Sequence, residues 1–285
     1  MIKNILITGS GGFVGKNLKE YFNSKYNLLC PRSLELDLTD CESVKTFFSN
    51  NSIDFVIHCA STGGVRGCAD PENCEQDNIK MVNNILFAKP ETTKVIIFGS
   101  GAAYSKARDL KKVKETQIGE VVPEDQYGKS KMELCKLALS RRDMLCLNIF
   151  ACYGKYEKES RFPSYAIIQN LKKEPVIINK NVVFDYLYID DLCRIVEKFI
   201  TSFPKSRVIN VTPTKSISLL QIAQTVNQIS GLESDIRFKE QGLNFEYTGD
   251  NSLLLKELPD FEFTDFNTGV TKLFNFRKTL RKYIP

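Results

Sequence analysis

Through the first half of the chain, short aliphatic runs alternate with amphipathic stretches. Ile5–Thr8, Phe55–Cys59, Val95–Phe98 and Leu145–Phe150 are brief, largely apolar and bounded by turn residues. Runs of this kind read as strands buried on both faces of a sheet. Between them, residues 13–24, 41–50, 72–88 and 126–142 repeat their apolar positions at helical spacing. Strand and helix in strict alternation imply right-handed βαβ units, hence an α/β fold built on a doubly wound parallel sheet. After about residue 155 the elements become shorter and mixed, with a strand over 207–211, a helix near 218–230 and a smaller C-terminal α+β unit. Phe184–Ile189 returns to the first unit. The expected division is 1–155 with 181–206, against 156–180 with 207–285.

The first strand runs into Thr8-Gly9-Ser10-Gly11-Gly12-Phe13-Val14-Gly15 and then a helical pattern. Gly9 suits the tight exit from the strand, Gly12 close approach of backbone to a pyrophosphate, and Gly15 close packing of helix on sheet. The helix N-terminus offers free N–H groups and a partial positive charge to phosphates. This strand–glycine–helix context defines a Rossmann dinucleotide site, with Ser10, Phe13 and Val14 completing the loop. After the second strand the chain reads Leu29-Cys30-Pro31-Arg32-Ser33. An acidic residue there would bond the ribose hydroxyls, whereas Arg32 can pair with a 2′-phosphate and Ser33 can add a hydroxyl. The expected cofactor is NADP (NADPH), although Glu35 lies close by.

Composition narrows the alternatives. Of 285 residues, 42% are hydrophobic and 26% charged, the balance of an ordinary globular protein. The net charge of +5 is spread among acidic residues, without the basic stripe and interleaved aromatics expected of a nucleic-acid binder. The basic stretch Lys106–Lys114 reads as a solvated loop. Nine cysteines, an odd number with no CxxC spacing, read as reduced thiols and a cytoplasmic location. The apolar run after Met1 is too short for a signal-peptide core, and no stretch is long enough to span a membrane. Cys68, Cys74 and the sole histidine, His58, do not make a zinc site, so no metal is expected.

Tyr127 and Lys131 stand one helical turn apart on one face. A phenol is a poor proton donor at neutral pH, and a neighbouring ammonium favours its phenolate. Ser100, just after the strand Val95–Phe98, can bond the same substrate oxygen. His58 reads as a residue packed beneath the cofactor, and Cys152 as a minor candidate for touching substrate.

Together these pieces resemble the extended short-chain dehydrogenase/reductase superfamily of nucleotide-sugar enzymes. They include TGSGGFVG, Asp37-Leu38-Thr39-Asp40, Val56-Ile57-His58-Cys59-Ala60-Ser61, Asn78, Gly99-Ser100 to Tyr104, and Tyr127/Lys131. Tyr153-Gly154, Asp185-Tyr186-Leu187-Tyr188-Ile189-Asp190-Asp191 and Ile209-Asn210-Val211 extend the match over nearly the whole chain. The resemblance implies that Asp37 and Leu38 lie near the adenine, Ala60 and Ser61 near the cofactor, and that Asn78 helps position the site. Ser100, Tyr127 and Lys131 would be catalytic, the last two also touching cofactor. It further implies a homodimer formed through helices 72–88 and 126–142.

Within the superfamily the chain is most similar to the GDP-fucose synthase-like branch, in Cys30–Asp40, Thr62-Gly63-Gly64-Val65 and Phe98-Gly99-Ser100-Gly101-Ala102-Ala103-Tyr104. That branch uses a Cys and a His to move protons beside the ketone. Here Ala102 stands for the Cys and Arg161 lies near the His, so hydride transfer is expected without epimerisation. Dehydratases place an acid pair after the catalytic hydroxyl residue; Gly101 and Ala102 stand there instead, which argues against dehydration. Phe184 replaces an Arg that commonly contacts the substrate diphosphate, with Lys180, Arg161 or Arg237 as candidate substitutes. Gly63, Gly64, Val65, Ser100, Gly101, Ala102, Cys152, Arg161 and Lys180 are the candidate substrate residues. The resulting expectation is an NADPH-dependent reductase of a nucleoside-diphosphate 4-keto-6-deoxy sugar, serving deoxysugar and cell-surface polysaccharide synthesis. A 4-epimerase with retained cofactor and a catalytically idle NADP-binding scaffold are the alternatives.

Overall fold

The computed structural model describes residues 2–65 and 67–280. The outermost residues of the expected division, Met1 and 281–285, lie outside them. In chain order, β1 (Asn4–Thr8), α1 (Phe13–Phe22), β2 (Asn27–Leu29), α2 (Cys41–Asn50) and β3 (Phe55–His58) come first. They are followed by α3 (Cys74–Ala88), β4 (Lys94–Ser100), β5 (Leu110–Val113), α4 (Gln126–Leu139), β6 (Met144–Ile149) and β7 (Ala151–Tyr153). The remainder comprises α5 (Phe162–Leu171), β8 (Val176–Ile178), β9 (Val183–Phe184), β10 (Tyr186–Tyr188), α6 (Ile189–Thr201) and β11 (Val208–Val211). Then come β12 (Ile217–Ser218), α7 (Leu219–Ser230), β13 (Ile236–Phe238), β14 (Tyr247–Gly249), α8 (Ser252–Glu257) and α9 (Phe266–Thr279).

Six strands form one parallel sheet in the order β11-β6-β4-β3-β1-β2. Strand alternation decides which core each residue enters: Ile5 and Ile7 face one side of the sheet, Leu6 the other. The first side carries α1 and α6, through Leu18, Phe22, Ile195 and Phe199. The second carries α2, α3 and α4, through Phe48, Val82, Ile85 and Leu134. The chain winds outward in both directions from β1, which lies between β2 and β3. Open α/β sheets bind ligands in the crevice at such a reversal, beyond the carboxyl ends of the strands.

The smaller elements form a cap that shares most of its core with the sheet and adds a small cluster of its own, Ile178, Val182, Leu219 and Ile222. Ala166, Val176, Ala223 and Val270 belong to the same apolar cluster as Ile5 and Leu147. A second, four-stranded sheet, β12-β9-β14-β5, fastens the C-terminal part to the first.

That sheet corrects the reading of Lys106–Lys114 as a solvated loop. Leu110 and Val113 are buried while Lys111 is exposed, the pattern of a half-buried strand, and β14 pairs with it. Lys112 reaches Asp185, whose fully buried carboxylate takes Nζ at 3.1 Å, the Ser216 hydroxyl at 2.6 Å and the Gly249 N–H at 2.9 Å. Burial pushes the Asp185 carboxyl up, and these donors oppose it. Asp185→Ala would leave three donors without their acceptor and should lower unfolding free energy by about 3 kcal/mol. Urea denaturation checks this; a loss under roughly 1 kcal/mol would mean that water replaces the carboxylate.

Candidate functional site

The site begins where three backbones meet. Gly9 leaves β1 at φ +62°, and a Cβ there would stand 2.5 Å from the Ala60 nitrogen. A Cβ on Gly15 would stand 2.4 Å from the Gly9 oxygen, so α1 packs on the loop with no side chain between them. The Gly12 N–H donates to the Gly9 carbonyl at 3.0 Å, closing the turn. Gly12 caps α1 without a side-chain hydrogen bond, leaving the first N–H groups of the helix free of any side-chain acceptor.

A cleft of about 1140 Å³ opens over this turn, lined by Gly9, Ser10, Gly12, Arg32, Ser33, Asp37, Leu38 and Ala60 among others. Its depth, its bare helix terminus and its terminal arginine fit a dinucleotide carrying a 2′-phosphate. Lys16, Lys19, Cys30 and Met81 also line it; they stand on helix faces or strand ends with no motif to single them out. Arg32 is exposed and held by Glu35, whose carboxylate accepts the Arg32 backbone N–H at 2.7 Å and lies 3.5 Å from its guanidinium. That backbone bond, aided by the guanidinium, holds the Glu35 carboxyl below its ordinary value. Asp37 is pinned by the Thr39 N–H and hydroxyl at 2.8 and 2.7 Å.

Not every expected cofactor residue lies on this cleft. The side chains of Phe13 and Val14 pack against the core. Asn78 is buried, and its amide is consumed within the protein: Oδ1 accepts the Thr62 N–H at 2.9 Å, while Nδ2 donates to the Thr62 carbonyl and to Ser130 Oγ. Its place is therefore beneath the loop after β3, and it also accepts the Ser61 hydroxyl at 3.3 Å.

This loop carries the cleft toward the chemical groups. Gly63 and Gly64 both adopt positive φ, +74° and +67°. A Cβ on Gly64 would stand 2.8 Å from the Tyr127 ring. Asp70, to which no motif points, ties the two together: one oxygen accepts the Gly64 N–H at 2.8 Å, the other the Tyr127 N–H at 2.9 Å. Asp125 caps α4 through the Gly128 N–H. One turn on, the buried Lys131 ammonium lies 5.2 Å from the Tyr127 ring centre and donates to the Phe98 carbonyl at 2.9 Å. Ser100 ends β4, and its hydroxyl accepts the Ala102 N–H at 3.1 Å.

Other candidates fall away from the cleft. Ala102 is buried under α4, its carbonyl near Gly128. Gly101 is covered by Phe150 and Tyr247. Cys152 belongs to the core, and burial pushes its thiol up, away from the reactive thiolate. Val65 is exposed on the loop rim, and Lys180 is half-buried in the turn between β8 and β9. Arg161 is exposed at the start of α5, close enough to Tyr247 to act on it electrostatically. Phe184 packs edge-on against Tyr186 and Tyr247, at 5.5 and 5.8 Å between ring centres, so an aromatic wall stands where a diphosphate-binding arginine was sought. His58 bonds Thr8 Oγ1 through Nδ1 at 2.8 Å; burial, and secondarily the Lys131 charge, push its pKa down to about 3. It stays neutral at working pH, in a packing role. Among the described residues no cluster of His, Cys, Asp or Glu could hold a metal, and no helix is long and apolar enough to cross a membrane.

Sheet, glycine turn and Tyr127–Lys131 pair define a short-chain dehydrogenase/reductase-type Rossmann protein. The chain belongs to the NAD dependent epimerase/dehydratase family, whose profile matches residues 5–212. It is 26% identical to the GDP-L-colitose synthase of Yersinia pseudotuberculosis, over 94% of this chain and 96% of that one. With the GDP-L-fucose synthase of Azorhizobium caulinodans it shares 23% over 80% and 81%. Among solved structures, a GDP-L-fucose synthetase from Naegleria fowleri bound to NADP superposes with a TM-score of 0.82 at 19% identity, over 99% and 94% of the two chains.

Two substitutions probe this geometry. Arg32→Ala should raise the dissociation constant for NADPH about tenfold and leave that for NADH within about twofold. Nicotinamide fluorescence titration measures both, and equal changes would dismiss Arg32 as the phosphate reader. Gly64→Ala should push the Tyr127 ring aside and cut kcat at least about tenfold, with NADPH affinity unchanged; a kcat near wild type would show that the loop yields instead.

Proposed function

We propose that the protein is an NADPH-dependent reductase of a nucleoside-diphosphate 4-keto-6-deoxy sugar, with Tyr127 as proton donor. The observation that carries this reading is the Lys131 ammonium 5.2 Å from the Tyr127 ring centre, on a helix that Asp70 ties to the loop continuing from Ala60 of the cleft. The names of the relatives, both guanosine-diphosphate sugar synthases, support a guanosine-diphosphate sugar as substrate.

When bound, NADPH would supply the hydride. The chain's own groups do the rest. The free N–H groups of α1 and the Gly9–Gly15 turn would hold the pyrophosphate, and Arg32 with Ser33 the 2′-phosphate. Ser100 would donate to the ketone oxygen, and Tyr127 would give its proton to that oxygen as it becomes an alkoxide. Lys131, anchored on the Phe98 carbonyl beside the Tyr127 ring, would hold the cofactor ribose. Gly63, Gly64 and Val65 would border the sugar, with Arg161 the nearest cation for its diphosphate. Absence of epimerisation is supported by the buried Ala102 methyl, which has no exchangeable proton, and by His58, which is buried against Thr8 with its pKa held low and so is a weak base. A homodimer through α3 and α4 is supported by the exposed Phe87 and Leu139 on those helices.

Purified protein should oxidise NADPH with one or more guanosine-diphosphate 4-keto-6-deoxy sugars in D2O, giving reduction at C4 and no deuterium at C3 or C5. Deuterium at either carbon would reveal a hidden base, and oxidised cofactor retained through purification would favour a 4-epimerase. Tyr127→Phe should lower kcat by roughly a hundredfold or more; full biological activity in that variant would mean a binding role without catalysis.

A further inference from the structure

One carboxylate joins the loop after β3 to the start of α4. Asp70 stands before Pro71, which disfavours a helical backbone at Asp70 and leaves it ahead of α3. From there Oδ1 accepts the Gly64 N–H at 2.8 Å, and Oδ2 accepts the Tyr127 N–H at 2.9 Å across 57 residues of chain. The two glycines of the loop each make room for one side of this clasp. A Cβ on Gly63 would stand 2.7 Å from Asp70 Oδ1 and would also strike Cys74 Sγ. A Cβ on Gly64 would stand 2.8 Å from Tyr127 Cζ, the ring carbon that bears the hydroxyl. Tyr127 is the second residue of α4, where a helix leaves N–H groups without partners. Asp125 serves the Gly128 N–H at 2.8 Å from within that segment, with Lys106 3.3 Å from its other oxygen. Asp70 serves Tyr127 from outside it. The Tyr127 carbonyl is held as well, by the Ser130 hydroxyl at 2.8 Å.

A helix cap needs one acceptor, and Asp70 spends its second on the loop. We propose that Asp70 is a positioning residue for Tyr127: by gripping Gly64 and Tyr127 with the two oxygens of one carboxylate, it seats the loop on a face of the phenol ring and so sets where the proton donor points. The role of Tyr127 as donor rests on the function proposed above. Without the clasp, a loop with two glycines in the left-handed region would range over many conformations. The Tyr127 ring could then turn into the space that the loop vacates. With it, loop and donor keep one arrangement before substrate arrives. Asp70 touches no reacting atom in this scheme and acts only through Tyr127.

The test is a double-mutant cycle with Asp70→Asn and Gly64→Ala in the whole chain, following NADPH oxidation. Asparagine has the same shape but one acceptor oxygen, and its NH2 group faces the other N–H, so it can hold the loop or the helix but not both. Asp70→Asn should lower kcat about tenfold with NADPH affinity within about twofold, and should cost less than about twofold more in Gly64→Ala, where loop and ring are already parted. A residue that only caps α4 would lower the midpoint of thermal unfolding and leave kcat near wild type. That result, a loss confined to KM, or losses that multiply across the cycle would overturn the proposal. If the wild-type enzyme turns over no keto-sugar, the reductase reading fails on its own, and crystal structures of wild type and Asp70→Asn decide this one. A Gly64 backbone that leaves the Tyr127 ring in the variant, or a ring split into several rotamers, upholds it; loop and ring both in their wild-type places sink it.

Discussion

The contact on which everything else depends is made by backbone atoms alone. At the end of β1, Gly9 lies against the Ala60 nitrogen, and Gly15 of α1 lies against the Gly9 carbonyl, at separations that no Cβ could occupy. Close packing of this kind fixes helix to strand and strand to neighbouring strand at one point. It also leaves the helix terminus bare and aimed into the crevice where the sheet order reverses. A Cβ at Gly15 would pry α1 from the turn, and one at Gly9 would drive the end of β1 from the Cys59–Ala60 step.

From that point the site is assembled by a succession of side chains that serve as braces. Asn78 spends its whole amide on holding Thr62 and Ser130. Asp70 uses one oxygen for the loop and the other for α4, which lets Gly64 lie flat on the Tyr127 ring. These residues act by restricting motion: each removes freedom from a loop whose glycines would otherwise leave it loose. Much of the polarity around Tyr127 is spent on bonds within the protein.

Much of this was legible in the sequence because it is local. The glycine turn, α1, and the Tyr127–Lys131 spacing depend on residues a few positions apart, and the four long strands and four helices of the first half follow from period, with ends displaced by up to three residues. The cleft lining from Arg32 to Leu38 follows from the motif at the end of the second strand. What could not be read depends on partners distant in the chain. Leu110–Val113 looks like a charged loop until β14 pairs with it, since alternation over so few residues is weak and four of the five between Lys111 and Glu115 are not strongly apolar. Asp70 and Tyr247 carry no periodic or motif signal, and only the fold brings them beside Tyr127 and Ser100. Cys152 misled for the converse reason: its position after β6 suggested the site, but the strand turns its thiol into the core.

The β5–β14 pairing has a consequence for the order in which the protein becomes competent. The six-stranded sheet needs nothing beyond Val211, so a growing chain can form its dinucleotide crevice while the last quarter is still unmade. The carboxylate of Asp185 waits for the Gly249 N–H, and the edge of β5 stays open until Tyr247–Gly249 arrive. An incomplete chain would therefore present a formed cofactor crevice while the edges of β5 and β9 that take β14 are still unpaired.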